Sequence, residues 1–442
     1  MADFIPFRGI RYNARIVEDY SRIVAPPYDV IAAAEQSALH GRHPFNVIRL
    51  ILGQARPDDN ASENVHTRAA GYFKQWLREQ VLVQDAQPGF YLTSISFDVA
   101  GERTTRHGII GLVRLEPFEK GIVLPHERTF SKVKSERLRL MQACHANLCP
   151  IFGLYGDRDA TMAQLASVAA SREPEVDFVE ENGMHHRLWH LTDQVLCEQI
   201  SHALRGGKIY IADGHHRYET ALNYREWIKA RGAGFIEEHP CNYVMMSLIS
   251  MEDPGLMIRP AHRLLVDIQP SALARLDAVA PEYFDIHAVE IGDSVDSAAG
   301  RVRALLGKHA QGNAVGVFAA ASEQVRVMVL KPQVMRKQFG NEMHAALLDL
   351  DVCVLTRLIM MEMMGFDQHR LDDESKIAYC TDVADALTAV RTRSAEMCFL
   401  LNPTRMEQVR RVAENGLIMP RKSTYFYPKE ISGLVMNTLA RE

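Results

Sequence analysis

Residues 208–228, KIYIADGHHRYETALNYREWI, constrain the fold more than any other stretch, because two periodicities meet there at a single glycine. Ile209–Ala212 reads as a short apolar strand, while Tyr218, Ala221, Tyr224 and Ile228 recur at helical spacing. A strand that turns directly into a helix demands a tight bend, which Gly214 permits. The first turn of such a helix directs backbone N–H groups and the positive end of its dipole at the bend, so an anion is expected there. Arg217 opposes that dipole, and near an anion-receptive turn it reads as a fork for phosphate or carboxylate. Asp213, His215 and His216 add acid and base groups at the same point. The competing reading of these residues is an Asp N-cap followed by two exposed histidines.

A second cluster, VLPHERTFSKVKSERLRL at 123–140, places His126, Glu127 and Arg128 after a proline-ended strand and adds Lys132 and further cations downstream. Phosphoryl transfer uses such a set: a carboxylate accepts a hydroxyl proton while cations hold the oxygens of the moving phosphate. For Arg137 and Arg139 the simpler reading is a charged, solvated helix face. Near the C-terminus, MPRKSTYFYP supplies Lys422, Ser423 and Thr424, cation and hydroxyls without the G-x-x-x-x-G spacing of a Walker loop. There is no G-x-G-x-x-G at a helix start, no G-x-S-x-G elbow and no H-E-x-x-H pair, so dehydrogenase, serine-hydrolase and zincin readings fall away. The metal question stays open, since Mg²⁺ needs only one or two carboxylates plus phosphate.

At 442 residues the chain is long enough for two domains. The early part carries turn-rich motifs, a helix pattern over 60–82, strands in GFYLTSISFDV and HGIIGLVRLEPF, and helix patterns over 140–170 and 192–205. Between the last two lies a hairpin signal around Asn182-Gly183, on which His185 and His186 read as a solvent-facing pair. APPYDV at 25–30 reads as a rigid loop. YVMMSLISM at 243–251 reads as a central strand. From about 265 helix and strand signals alternate, which predicts an α/β domain. The expected division is an α+β domain over 1–262 and an α/β domain over 263–442 carrying the RKSTYFYPK loop.

A net charge of −5 disfavours nucleic acid as a partner. The N-terminal residues lack the form of a signal peptide, and LDVCVLTRLIMMEMMGF is interrupted by charge and reads as a buried Met-rich helix, not a membrane span. Seven scattered cysteines without a C-x-x-C pair fit reduced thiols, so a cytoplasmic setting is expected. Homo-oligomer formation is left open.

FRGIRY, APPYDVI, LPHERT, NLCPIFGLY, YIADGHHRYETAL, SMEDPGL and MPRKSTYFYPKEISGLV, in that order over residues 4–438, resemble the domain-of-unknown-function 1015 family. Gly214, Arg217 and Ala221 are also similar to the G-x-x-R-x-x-A box of the ParB and sulfiredoxin superfamily, which includes free-serine kinases. That resemblance implies a ParB/sulfiredoxin-like N-terminal domain and nucleotide phosphates at this turn. The reading that follows is a phosphotransferase acting on a small hydroxy metabolite such as serine, with a nucleotide (ATP or ADP) or other phosphate donor. Asp213, His215, His216, Glu127 and His126 are its catalytic candidates. Gly214, Arg217, Arg128, Lys132, Lys422, Ser423 and Thr424 are the phosphate-binding ones. The alternatives are a phosphatase acting on a phosphomonoester such as phosphoserine, and a non-enzymatic nucleotide-responsive binding protein.

Overall fold

The computed structural model describes residues 2–99, 101–157, 160–232 and 235–440. It is a mixed α/β protein of two compact units, residues 1–257 with 428–442, and residues 258–427. The division differs from the expected one at both ends. The boundary precedes residue 262, and the last segment returns to the first unit, because its backbone pairs there. Met436 bridges Ile10, Ser432 bridges Ala25, and Asn437–Thr438 pair with Ala146–Asn147.

The first unit is built on a nine-stranded mixed sheet. Its strands are β1 (Phe4–Ile5), β2 (Phe90–Val99), β3 (Glu102–Arg114), β4 (Val123–Leu124), β5 (Ile151–Tyr155), β6 (Val176–Val179), β7 (His185–Leu191), β8 (Ile209–Asp213) and β9 (Tyr243–Ser250). The order is β4-β8-β5-β9-β3-β2-β7-β6, with β1 pairing β3 beyond the point where β2 ends. Most neighbours are antiparallel, but β4 runs parallel to β8 and β5 parallel to β9. β9 is central and buried along nearly its whole length, as a continuous apolar run requires. One face packs α1 (Val65–Arg78), whose Ala69, Phe73 and Trp76 are buried. The opposite face packs α3 (Thr161–Ala170), α4 (Gln194–Leu204) and the apolar side of α5 (His215–Ala230).

Two expectations for this unit are corrected. The helical pattern over 140–170 is broken by β5, because NLCPIFGLY continues as five fully buried residues that only a sheet interior accommodates. The hairpin around Asn182-Gly183 forms, but His186 is not solvent-facing. It is 1% exposed, stacked on Phe178, and its Nε2 meets Glu180 at 2.5 Å.

The second unit carries a six-stranded sheet of β10 (His262–Leu265), β11 (Phe284–Glu290), β12 (Ala314–Ala319), β13 (Gln324–Leu330), β14 (Ile377–Cys380) and β15 (Met397–Leu401), in the order β11-β13-β12-β15-β10-β14. Helix and strand alternate as expected, yet every ladder joining these six strands is antiparallel. Two helical crossovers each skip one strand. β11 reaches β12 through α7 (Val295–Lys308), and β14 reaches β15 through α8 (Val383–Arg391); β13 and β10 fill the gaps. α7 and α8 cover one face, while α6 (Pro270–Tyr283) and the buried Met-rich π-helix Val354–Met363 cover the other.

Candidate functional site

Three chain ends meet where β4, β8 and β5 lie side by side. Parallel β4 and β8 both finish at this edge, the first leading into the loop 125–130 and the second into Asp213-Gly214. Antiparallel β5 begins here, so Pro150 lies beside the end of β8, where the Ile211/Asp213 pairing is irregular. The expected strand-to-helix turn is present, with Gly214 at φ 95° and ψ 28° as the residue that caps α5. Such a backbone favours glycine for its conformation, and crowding reinforces the choice. A Cβ on Gly214 would stand 2.8 Å from Arg217 Nε. The Asp N-cap reading does not hold. No side chain caps α5, and His215 is buried.

The Asp213 carboxylate is held between two cations. Arg217 Nη2 donates to Asp213 Oδ2 at 2.5 Å, and Lys429 Nζ donates to Asp213 Oδ1 at 2.5 Å. All three side chains are nearly buried, with 11%, 12% and 14% exposure for Arg217, Asp213 and Lys429. Burial alone would raise the Asp213 pKa, but Lys429 and then Arg217 more than reverse it and hold the carboxyl well below the usual range. Arg217 Nη1 also donates to the Pro150 carbonyl. The mismatch between Arg217 and the helix dipole is thus offset by an i, i+4 partner, and one carboxylate serves two cations.

The histidines fasten the loop to the helix. His126 N–H donates to His215 Nε2 at 3.2 Å, the two rings meeting edge to face at 4.8 Å. Phe130 N–H donates to His216 Nε2 at 2.9 Å. His126 is fully buried, and burial, aided by Lys429, pushes its pKa down to about 4. Burial together with His126 holds His215 well below its ordinary value. Both rings are therefore neutral at pH 7. Glu219, one turn along α5, accepts from Thr129 Oγ1 at 2.7 Å and from Lys134 Nζ at 2.5 Å, which fixes the same loop. Glu127 is half-buried on that loop, Arg128 is exposed, and Lys132 is exposed in the first turn of α2 (Ser131–Cys144).

Arg137 departs from the solvated-face reading. It is buried, its guanidinium lies 4.1 Å from the Tyr28 ring centre, and Nη1 donates to the Ile51 carbonyl at 2.7 Å. The flat, delocalised guanidinium suits stacking, and APPYDV supplies the ring. Lys429 itself was missed at sequence level, although it stands inside the YFYPKEISGLV motif. The neighbouring Lys422, Ser423 and Thr424 belong to the second unit. There Lys422 is exposed at φ 52°, Ser423 Oγ donates to the Pro420 carbonyl at 2.5 Å, and Thr424 is buried. A second buried ion pair anchors the segment that bears Lys429. Arg106 bonds Glu430 and the Pro428 carbonyl, its guanidinium 4.8 Å from the Phe152 ring.

As a metal site the residues fit poorly, since both Asp213 oxygens already face cations and Mg²⁺ favours free carboxylate oxygens. Among the described residues no group of three or more His, Cys, Asp or Glu is arranged to hold a metal ion, and no helix is long and apolar enough to cross a membrane.

No curated protein matches this chain. Among solved structures, a mutant free serine kinase in complex with AMP aligns over 73% of this chain and 91% of its own, at 12% identity and TM-score 0.34. A second mutant of a free serine kinase, in complex with ADP, aligns over the same shares at 11% identity and TM-score 0.35. A conserved hypothetical protein from Pyrococcus furiosus aligns over 72% of this chain and 92% of its own, at 11% identity and TM-score 0.32. Residues 4–353 match the family described as "Protein of unknown function (DUF1015)", and the chain belongs to that family.

Proposed function

We propose that this protein is a phosphotransferase acting on a small hydroxy metabolite, with a nucleotide or other phosphate donor seated at the Asp213–Arg217 turn. One observation carries the reading: two buried cations, Arg217 and Lys429, share a single carboxylate. The cluster sets two cations around one carboxylate beside the positive end of α5, whose cap offers no side-chain acceptor. Cations gathered at a helix N-terminus favour an anion, so a bound phosphate is the natural complement.

The roles divide by chemistry. Lys429 and Arg217 hold phosphate oxygens, with Arg128 and Lys132 as outer cations at the rim. Asp213 is held ionised so far below neutrality that it is a weak base, and it serves to orient the two cations. Glu127 takes the proton from the acceptor hydroxyl. The hydroxyl oxygen forms the new P–O bond, the bond to the donor's leaving oxygen breaks, and the electron pair departs on the donor. His126 and His215, neutral and bound to backbone, position the loop that carries Glu127.

Phosphorus NMR tests the reading. Protein with ATP or ADP, Mg²⁺ and L-serine is expected to yield a phosphomonoester signal that is missing without serine and lost in Lys429→Met. Inorganic phosphate released from O-phosphoserine alone would move the same residues to a phosphatase. Nucleotide affinity that is unchanged in both Lys429→Met and Arg217→Ala would overturn the anion site itself.

A further inference from the structure

A cavity of about 60 Å³ in the first unit is lined by Arg217 but not by Asp213 or Lys429. Tyr28, Arg137, Asn147, Cys149, Arg217 and Thr220 form its polar part, and the rest of its wall is apolar. Three buried polar atoms on these residues have no hydrogen-bond partner: Arg137 Nε, Arg217 Nε and Thr220 Oγ1. Their neighbours on the same side chains are all committed. Arg137 uses Nη1 on Ile51 and Nη2 on Glu136, and Arg217 uses Nη1 on Pro150 and Nη2 on Asp213. An orphaned buried donor costs about 1–3 kcal/mol, more when charged, and three around one cavity are rarely left so.

The charge balance points the same way. Asp213 is shared with Lys429, and the partner of Arg137, Glu136, is about half exposed. The cavity thus meets two guanidinium groups, Arg217 having the exposed Asp29 as a further countercharge, and is otherwise walled mainly by hydrocarbon. A phosphate, with oxygens on every side, would leave several of them against apolar wall. A carboxylate places both oxygens at one end and its carbon stem at the other. We infer that this cavity binds the carboxylate of a compact organic acid with a short apolar stem, held by Arg137, Arg217 and Thr220. The volume admits only a few heavy atoms. The inference stands without phosphotransfer. If both hold, Arg217 links the two, and the acceptor is a small hydroxy acid.

The test is ligand-observed NMR on the full chain without nucleotide, using propionate, L-lactate and inorganic phosphate as probes. Saturable binding of propionate and lactate, mutually competitive and not displaced by phosphate, is expected. Thr220→Val, which keeps shape and removes the hydroxyl, and Arg137→Lys, which keeps charge and removes Nε, should each raise the propionate Kd about tenfold. The inference is overturned by any of three results: no saturable carboxylate binding to the unmodified protein, equal displacement by phosphate, or an unchanged Kd in Thr220→Val. Because no phosphate donor is present, failure here leaves the phosphotransfer reading to its own experiment.

Discussion

Asp213 in the first unit and Asp351 in the second are both carboxylates withdrawn from water, and they titrate in opposite directions. Asp213 faces Lys429 and Arg217 and is held well below its usual range. Asp351 faces two amides, Asn313 Nδ2 at 2.8 Å and Asn402 Nδ2 at 3.3 Å. Burial raises its pKa to about 6, and the amides only partly oppose the rise. Neutral donors satisfy the lone pairs of a buried carboxylate but do not replace a countercharge. Asp351 is therefore self-contained, a clasp between two loops of its own unit. Around Asp213 two cations share one carboxylate, and it is on this arrangement that the proposed anion site rests.

The largest expected effect comes from removing the countercharge. Asp213→Asn leaves Arg217 and Lys429 close together without their shared anion, and breaking a buried pair in this way costs about 3–5 kcal/mol. Chemical denaturation at pH 7.5 measures it, followed by a probe in the first unit. A loss below about 1 kcal/mol would mean that water already compensates the two cations, and the contrast with Asp351 would collapse.

Next is the pH dependence of the second unit. The folded pKa of Asp351 lies above its ordinary value, so the native state holds the proton more tightly than the unfolded chain. The associated stability is complete below about pH 4 and is lost as pH rises through about 6. The swing is about 3 kcal/mol at most. Asp351→Asn should abolish that part of the profile, and a variant curve that still falls between pH 4 and 7 would refute the assignment.

Histidines in both units give the reverse slope. Burial pushes His126 in the first unit and His262 in the second to about 4, with Lys429 and Arg263 respectively adding to the effect. Depressed folded values contribute stability that is present above about pH 6.5 and falls away towards pH 4. Their ring proton resonances should stay still between pH 8 and 5 in NMR. Movement of the His126 signal near pH 6.5 would show that the loop opens to water, and would separate the two units dynamically.

Much of the turn at Asp213 was legible because its signal is local. An apolar run, a glycine and an i, i+4 apolar pattern lie within twenty residues, and these fixed β8, the bend and α5. Lys429 was not legible in the same way, since it reaches Asp213 across 216 positions of chain. Only the return of the C-terminal segment beside Ile10 and Ala25 brings it there. The buried Arg137 escaped for a related reason: its aromatic partner, Tyr28, comes from a distant loop. In the second unit the alternation of elements was readable but the strand direction was not. A crossover that skips one strand has the same sequence pattern as one that joins neighbours.

The smallest effects are expected at the exposed cations, and they sharpen the comparison most cheaply. Arg128 and Lys132 face water, so Arg128→Ala and Lys132→Ala should each change stability by no more than about 0.5 kcal/mol. Lys429→Met removes a buried cation but leaves Asp213 paired with Arg217, so its cost should fall between these and Asp213→Asn. Phosphate-donor affinity, measured calorimetrically as salt rises, then divides the roles. Exposed charges act through a screened field, and the loss on removing Arg128 or Lys132 should shrink as ionic strength rises. The loss on removing Lys429 should persist, because a buried contact is screened far less. Equal salt dependence for all three variants would place the bound anion at the rim, and the pair of cations at Asp213 would then be structural, as the clasp at Asp351 is.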